Sequence, residues 1–210
     1  LLSGASLQQM ATIATSAAVT AIEKEHTALC KLQELNIALS PRQKFLSGHS
    51  KIKATLKSYQ EQGKRVVFTN GCFDILHSGH VSYLHQAKQM GDILVVGLNK
   101  DDSIRRLKGP GRPVNSLPNR VAVLAALSCI DHIISFGSEK DDTPINLIKL
   151  VRPAIFVKGG DYKHTLLPEQ ETLRQIGAEL IFLPYIPNQS TTAIIERMDR
   201  KTKLKTTLIN

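Results

Sequence analysis

The chain has 210 residues, of which 42% are hydrophobic and 21% charged. That suits one globular domain with an appendage and excludes a disordered polymer. The net charge of +9 lies mostly at the ends: residues 1–64 carry 8 Lys/Arg against 4 Asp/Glu, residues 65–198 carry 15 against 13, and residues 199–210 carry 4 against 1. With no Trp, and with basic residues not interleaved with aromatics, nucleic-acid binding is not expected. No run approaches the roughly 20 apolar residues of a membrane span. Cys30, Cys72 and Cys129 are odd in number and widely spaced, which argues against a disulfide framework and a structural zinc site. A reducing cytoplasm is the expected location. Leu1-Leu2-Ser3-Gly4 lacks an initiating Met and a basic n-region, so it is expected to be a cut end and not a signal peptide.

In chain order, residues 6–29 predict a helix with Ser6 as N-cap, Gln9 in the capping-box position, and a small apolar face. Residues 30–50 read as irregular, and a second helix is expected over Lys51–Gln62, ending at Gly63. From Arg65 strands and helices alternate. Strands are expected at Arg65–Thr69, Ile93–Leu98, His132–Phe136, Ala154–Val157 and Leu180–Pro184. Helices are expected at His80–Met90, Leu117–Ser128, Pro144–Leu150 and Pro168–Ile176. The strands are short, β-branched and apolar on both faces, as in a parallel sheet covered on both sides. The predicted fold is α/β: a doubly wound, Rossmann-like five-stranded parallel sheet with a helical N-terminal extension.

Ligands in such folds bind beyond the carboxyl ends of the strands. The first strand runs into Thr69-Asn70-Gly71-Cys72-Phe73-Asp74-Ile75-Leu76-His77-Ser78-Gly79-His80. A strand that turns through glycine into a helix points backbone N–H groups at open space, and His77 and His80 add side-chain donors there. This combination points to chemistry on a phosphate. Near the C-terminus, Ser190, Thr191 and Thr192 sit where N-cap residues start a helix, and their hydroxyls and free amides suit further phosphates.

The TNGCFDILHSGH run resembles the HxGH nucleotidyltransferase (cytidylyltransferase-like) superfamily. The likeness continues through Arg105–Gly109, Arg112–Asn115, Asn119-Arg120, Val157–Tyr162 and Ser190–Thr192. It is nearest to the branch of adenylyltransferases that makes ADP-heptose, and it covers residues 65–198. Residues 1–40 resemble the last helices of a ribokinase-like sugar kinase, followed by a linker and helix at 41–64 and, after the catalytic domain, a basic tail at 199–210.

The resemblance implies transfer of AMP from ATP to D-glycero-β-D-manno-heptose 1-phosphate, with Mg²⁺ carried by the nucleotide and no protein metal cage. A cytidylyltransferase acting on a polyol or amino-alcohol phosphate, or an idle nucleotide-binding module, are the alternatives. His77 and His80 are expected to donate to the triphosphate, with His80 nearest the reacting phosphoryl group. Gly79 leaves the phosphates room, having no Cβ. Lys108, in a Gly/Pro-flanked loop, resembles the lysine that contacts the α-phosphate. Arg120 is expected to reach pyrophosphate or the substrate phosphate. Asn70 and Asp74 are expected to position the sugar phosphate or a metal-bound water. Thr69, Gly71 and Phe73 are expected to complete the first turn of the nucleotide site. Lys158, Gly159 and Asp161, with Tyr162, are expected to shape the nucleotide pocket. The expected partners are the nucleotide, a sugar phosphate and a sugar kinase, fused or separate. A homo-oligomer is also expected.

Overall fold

The computed structural model describes residues 7–22, 44–160, 167–184, 191–195 and 197–198. The chain divides into two units, Leu1–Gln43 and Lys44–Asn210. In the first, an Ala- and Thr-rich helix, α1 (Leu7–Ile22), forms on residues free of Gly and Pro. The expected N-cap, Ser6, and the predicted continuation over 23–29 lie outside the described residues.

The second unit runs α2 (His49–Glu61), β1 (Val66–Gly71), α3 (Ser78–Lys88), β2 (Ile93–Asn99), α4 (Asp101–Lys108), α5 (Leu117–Ala125), β3 (His132–Phe136), α6 (Ile145–Val151), β4 (Ile155–Gly159), α7 (Gln170–Ile176) and β5 (Glu179–Leu183). A further helical stretch occupies 191–195. The five strands are all parallel in the order β3-β2-β1-β4-β5, so the predicted doubly wound α/β sheet is present.

The period-2 geometry of a strand divides the core between the two faces. Val67, Leu94, Val96, Ile133 and Val157 pack on one side with Leu84 and Ala87 of α3 and Val121 and Leu124 of α5. Their neighbours Val66, Phe68, Val95, Ile134 and Phe156 pack on the other with Leu56 of α2, Ile148 of α6 and Leu173 of α7. Leu84 is fully buried, and its truncation to Ala would cost about 2–5 kcal/mol. The segment read as linker and helix thus supplies Leu46, Ile52 and Leu56 to the sheet's core, and Phe45 forms a parallel bridge with Ile133.

One helix escaped prediction. α4 carries Asp101 and Asp102 in its first turn and Arg105, Arg106 and Lys108 in its last, a distribution that matches the helix dipole. Its only fully buried apolar anchor is Ile104, so no 3.6-residue apolar period reveals it. Gly109, at φ 97°, ends the helix in a conformation that favours glycine.

The strand order reverses direction at β1, which lies between β2 and β4. The β1–β4 ladder is registered only at Val67↔Ile155 and Phe68↔Phe156. Beyond it the carboxyl ends of the two strands lead into a cleft, as expected at a switch point.

Candidate active site

The cleft has a volume of about 690 Å³ and lies over the carboxyl ends of β1, β2 and β4. It gathers His77, Gly79 and His80 of the first turn, Lys108, Lys158 and Gly159, and Thr191 and Thr192. Residues more than 110 positions apart in the chain therefore share one wall.

His77 is the N-cap of α3, in extended conformation, and its Nδ1 accepts the His80 backbone N–H at 3.4 Å. In the neutral ring this leaves the proton on Nε2, available as a donor. The His77 and His80 rings stack with centroids 3.8 Å apart, and Phe73 lies 5.1 Å from His80 on another side. Phe73 reaches this position at φ 43°, a region costly for a residue with a Cβ. Burial and the neighbouring His77 lower the His80 pKa to about 4, with the Ile75 backbone acting weakly the other way. Burial also lowers that of His77. Both rings are neutral donors at pH 7.

Thr191 joins this wall by donating its hydroxyl to the Ile75 carbonyl at 3.2 Å. That bond ties the 191–195 helical stretch to the turn that carries the histidines. Ser190 and Asp161 lie outside the described residues, as does Tyr162. Lys108 does line the cleft, although from the last turn of α4 and not from a loop. Asn70 lines it too, and its buried Oδ1 has no hydrogen-bond partner, which makes it an acceptor for a ligand N–H or O–H.

Other expected residues are turned inward. Arg120 is 1% exposed and is not part of the cleft wall. Its guanidinium donates to the carbonyls of Asn115 (3.0 Å), Cys72 (2.7 Å) and Asn99 (2.8 Å) and to Asp101 Oδ1 (2.7 Å). Four of its five N–H groups are thereby consumed, so Arg120 locks the turn after β1 to the end of β2 instead of meeting pyrophosphate. Thr69 is likewise buried behind the cleft, its hydroxyl paired with Tyr83 Oη at 2.7 Å. Tyr83 in turn donates to the Val157 carbonyl at 2.9 Å and bridges β1 to β4.

Asp74 faces the cleft, but its carboxylate is committed to the protein. It accepts from Arg112 Nε (2.6 Å) and from the backbone N–H groups of Val114 (3.0 Å) and Asn115 (2.8 Å). Burial raises its pKa, but these bonds outweigh burial and hold the carboxyl below the usual carboxylate range. Phe73 packs on His80, and Gly71 leaves room for the Phe73 ring, to which a Cβ would approach within 3.0 Å. Lys158 pairs with buried Glu169 at 2.9 Å and lies 5.3 Å from the Phe156 ring centroid.

Sequence reasoning did not assign Arg112, Tyr83, Asn99, Asp142 or Glu169. Only Arg112 carried a local signal, since it stands in the same Gly/Pro-rich segment as Lys108. The cations converge near Cys72: burial raises its thiol pKa, and Lys108, Arg120 and Arg112 pull it down. The arrangement can bind and polarise an extended polyanion. Among the described residues no group of three His, Cys, Asp or Glu forms a metal cage.

The cytidylyltransferase-like family profile matches residues 68–209. The chain is 42% identical over 200 residues to the bifunctional protein HldE of a Nitratiruptor species, covering 93% of this chain and 42% of that protein. It is 41% identical over 204 residues to the bifunctional protein HldE of Azotobacter vinelandii, covering 96% and 42% respectively. The chain thus spans about two fifths of the length of these curated relatives. A crystal structure of pantoate-beta-alanine ligase from Francisella tularensis superposes with a TM-score of 0.51 at 18% identity, over 69% of this chain and 68% of that one; the likeness is one of fold. The chain belongs to the cytidylyltransferase-like family.

Proposed function

We propose, for this member of the cytidylyltransferase-like family, that the cleft transfers AMP from ATP to a sugar 1-phosphate and releases pyrophosphate. D-glycero-β-D-manno-heptose 1-phosphate is the acceptor and ADP-heptose the product. The observation that carries the reaction class is the His77–His80 stack at the amino end of α3, in one cleft with Lys108, Thr191 and Thr192. The choice of ATP over CTP rests on the resemblance of the Arg106–Val114 and Lys158–Tyr162 segments to ADP-heptose-forming enzymes, and the sugar on the resemblance as a whole. The likeness to the bifunctional relatives supports it, and a sugar kinase, fused or separate, supplies the acceptor.

In the transfer, an oxygen of the acceptor phosphate forms a bond to the α-phosphorus as the bond to the bridging α–β oxygen breaks. The nucleophile is already an anion, so the protein supplies position and charge stabilisation and no general base is needed. His80, neutral and held between Phe73 and His77, donates to the reacting phosphoryl group. His77 donates from Nε2. The Thr191 and Thr192 segment and the first turn of α3 hold the leaving phosphates. Lys108 neutralises charge on the α-phosphate, and Asn70 Oδ1 accepts from a ligand hydroxyl or a metal-bound water. Mg²⁺ arriving with the nucleotide would neutralise charge on the triphosphate, while Asp74 already accepts three hydrogen bonds from Arg112, Val114 and Asn115.

The test is pyrophosphate release with ATP or CTP across a panel of sugar 1-phosphates and polyol phosphates. Turnover should require ATP and favour the heptose 1-phosphate. A preference for CTP, or no release with any sugar 1-phosphate, would overturn the reading.

A further inference from the structure

Arg112 lies between α4 and α5, in the cleft wall, with its side chain 16% exposed. It is fastened to Asp74, whose side chain is fully buried. The fastening is partial in an informative way. Asp74 Oδ2 takes Arg112 Nε and the Val114 N–H, while Oδ1 takes the Asn115 N–H. Backbone amides therefore occupy the positions that a two-pronged guanidinium–carboxylate pair would fill. The guanidinium is held through one of its five N–H groups, and neither Nη1 nor Nη2 bonds to any described residue. A planar cation fixed at one edge, with four donors open at the other, matches the fork geometry of a phosphate.

Position assigns the phosphate. The Ile75–His80 part of the first turn carries the two histidines and holds Thr191. The Cys72–Asp74 part holds Arg112 through Asp74, and Lys108 lines the same cleft. In-line displacement at phosphorus needs the incoming and leaving oxygens on opposite sides, and hence anion sites on both. We infer that the free Nη edge of Arg112 binds the phosphate of the acceptor substrate, with Asp74 as the residue that positions it. The inference rests on the nucleotidyl-transfer reading of the cleft.

The test uses the full chain and two readouts. Arg112→Lys keeps a cation beside buried Asp74 and spares the fold, which a melting curve checks. It removes the fork. In steady-state assays of Arg112→Lys and Arg112→Ala, the acceptor KM should rise about 10–100-fold while the ATP KM stays within about twofold. A rise in the ATP KM instead would place the nucleotide's own phosphate on Arg112, and no change in either would leave the residue without a ligand; both overturn the inference. Calorimetric titration of inorganic phosphate into protein saturated with α,β-methylene-ATP gives a readout independent of turnover. Binding should be lost in Arg112→Lys, and retained binding overturns the inference. If wild type releases no pyrophosphate with any sugar 1-phosphate, the proposed function fails, and the phosphate titration still decides whether Arg112 is an anion site.

Discussion

The imidazole rings of His77 and His80 stack 3.8 Å apart, within 25° of parallel. Two rings so placed resist carrying charge together, and His80 is the more buried of the pair, which drives its pKa to about 4. His80 is therefore a neutral ring at pH 7, packed against His77 and Phe73. His80→Ala should lower kcat by about 10²–10³-fold, the loss of one preorganised transition-state donor. Circular dichroism should show the fold intact, and near-normal turnover would remove His80 from the chemistry.

The same ring makes stability depend on pH. Between pH 6.5 and about 4 the unfolded chain binds a proton at His80 that the folded chain refuses, so acid destabilises the fold across that window. The slope from this group approaches about 1.4 kcal/mol per pH unit. His77 and His132, also lowered by burial, act in the same direction. Asp74, with its lowered carboxyl pKa, adds a loss of stability only at more acid pH. Thermal melts from pH 7 to 4.5 should show a falling Tm that falls less steeply in His80→Ala. Parallel curves would contradict the assignment.

Lys108 reaches the cleft from the end of a helix that Gly109 terminates. Lys108→Ala should raise the nucleotide KM and lower kcat, with kcat/KM for ATP down about 10–100-fold. An unaltered ATP response would show that the ammonium makes no phosphate contact.

Arg120→Met should act on stability first. It leaves the Asp101 carboxylate and the carbonyls of Cys72, Asn99 and Asn115 without their donor. Removing one partner from such a buried ionic network costs about 3–5 kcal/mol. Urea titration reads this as a shifted midpoint, and an unchanged midpoint would show that the guanidinium is not a structural lock.

Deletion of residues 1–43 should preserve transfer activity, because Lys44–Asn210 forms a separate compact unit. Deletion through Glu61 should abolish folding, since it strips Leu46, Ile52 and Leu56 from the core. Equal activity in both truncations would show that α2 is dispensable.

The five strands are legible from local sequence alone, because their apolar β-branched runs encode burial on both faces of a sheet wherever the rest of the chain lies. So are the HSGH turn and the Thr191–Thr192 helix start, where a strand or loop runs into a helix and leaves backbone N–H groups open. α4 was hidden because a short helix anchored on one buried isoleucine has no apolar period to read. Which polar groups face the cleft was settled only when the chain closed on itself. Arg120 and Arg112 stand eight positions apart and look alike in sequence, yet one is buried and the other keeps its Nη edge open. The partners that consume Arg120 include backbone carbonyls 48 and 21 residues away, and Arg112 is held by a carboxylate 38 residues away. A guanidinium's role depends on how many of its donors the fold satisfies, and distant acceptors of that kind are set by strand order, which no local pattern records.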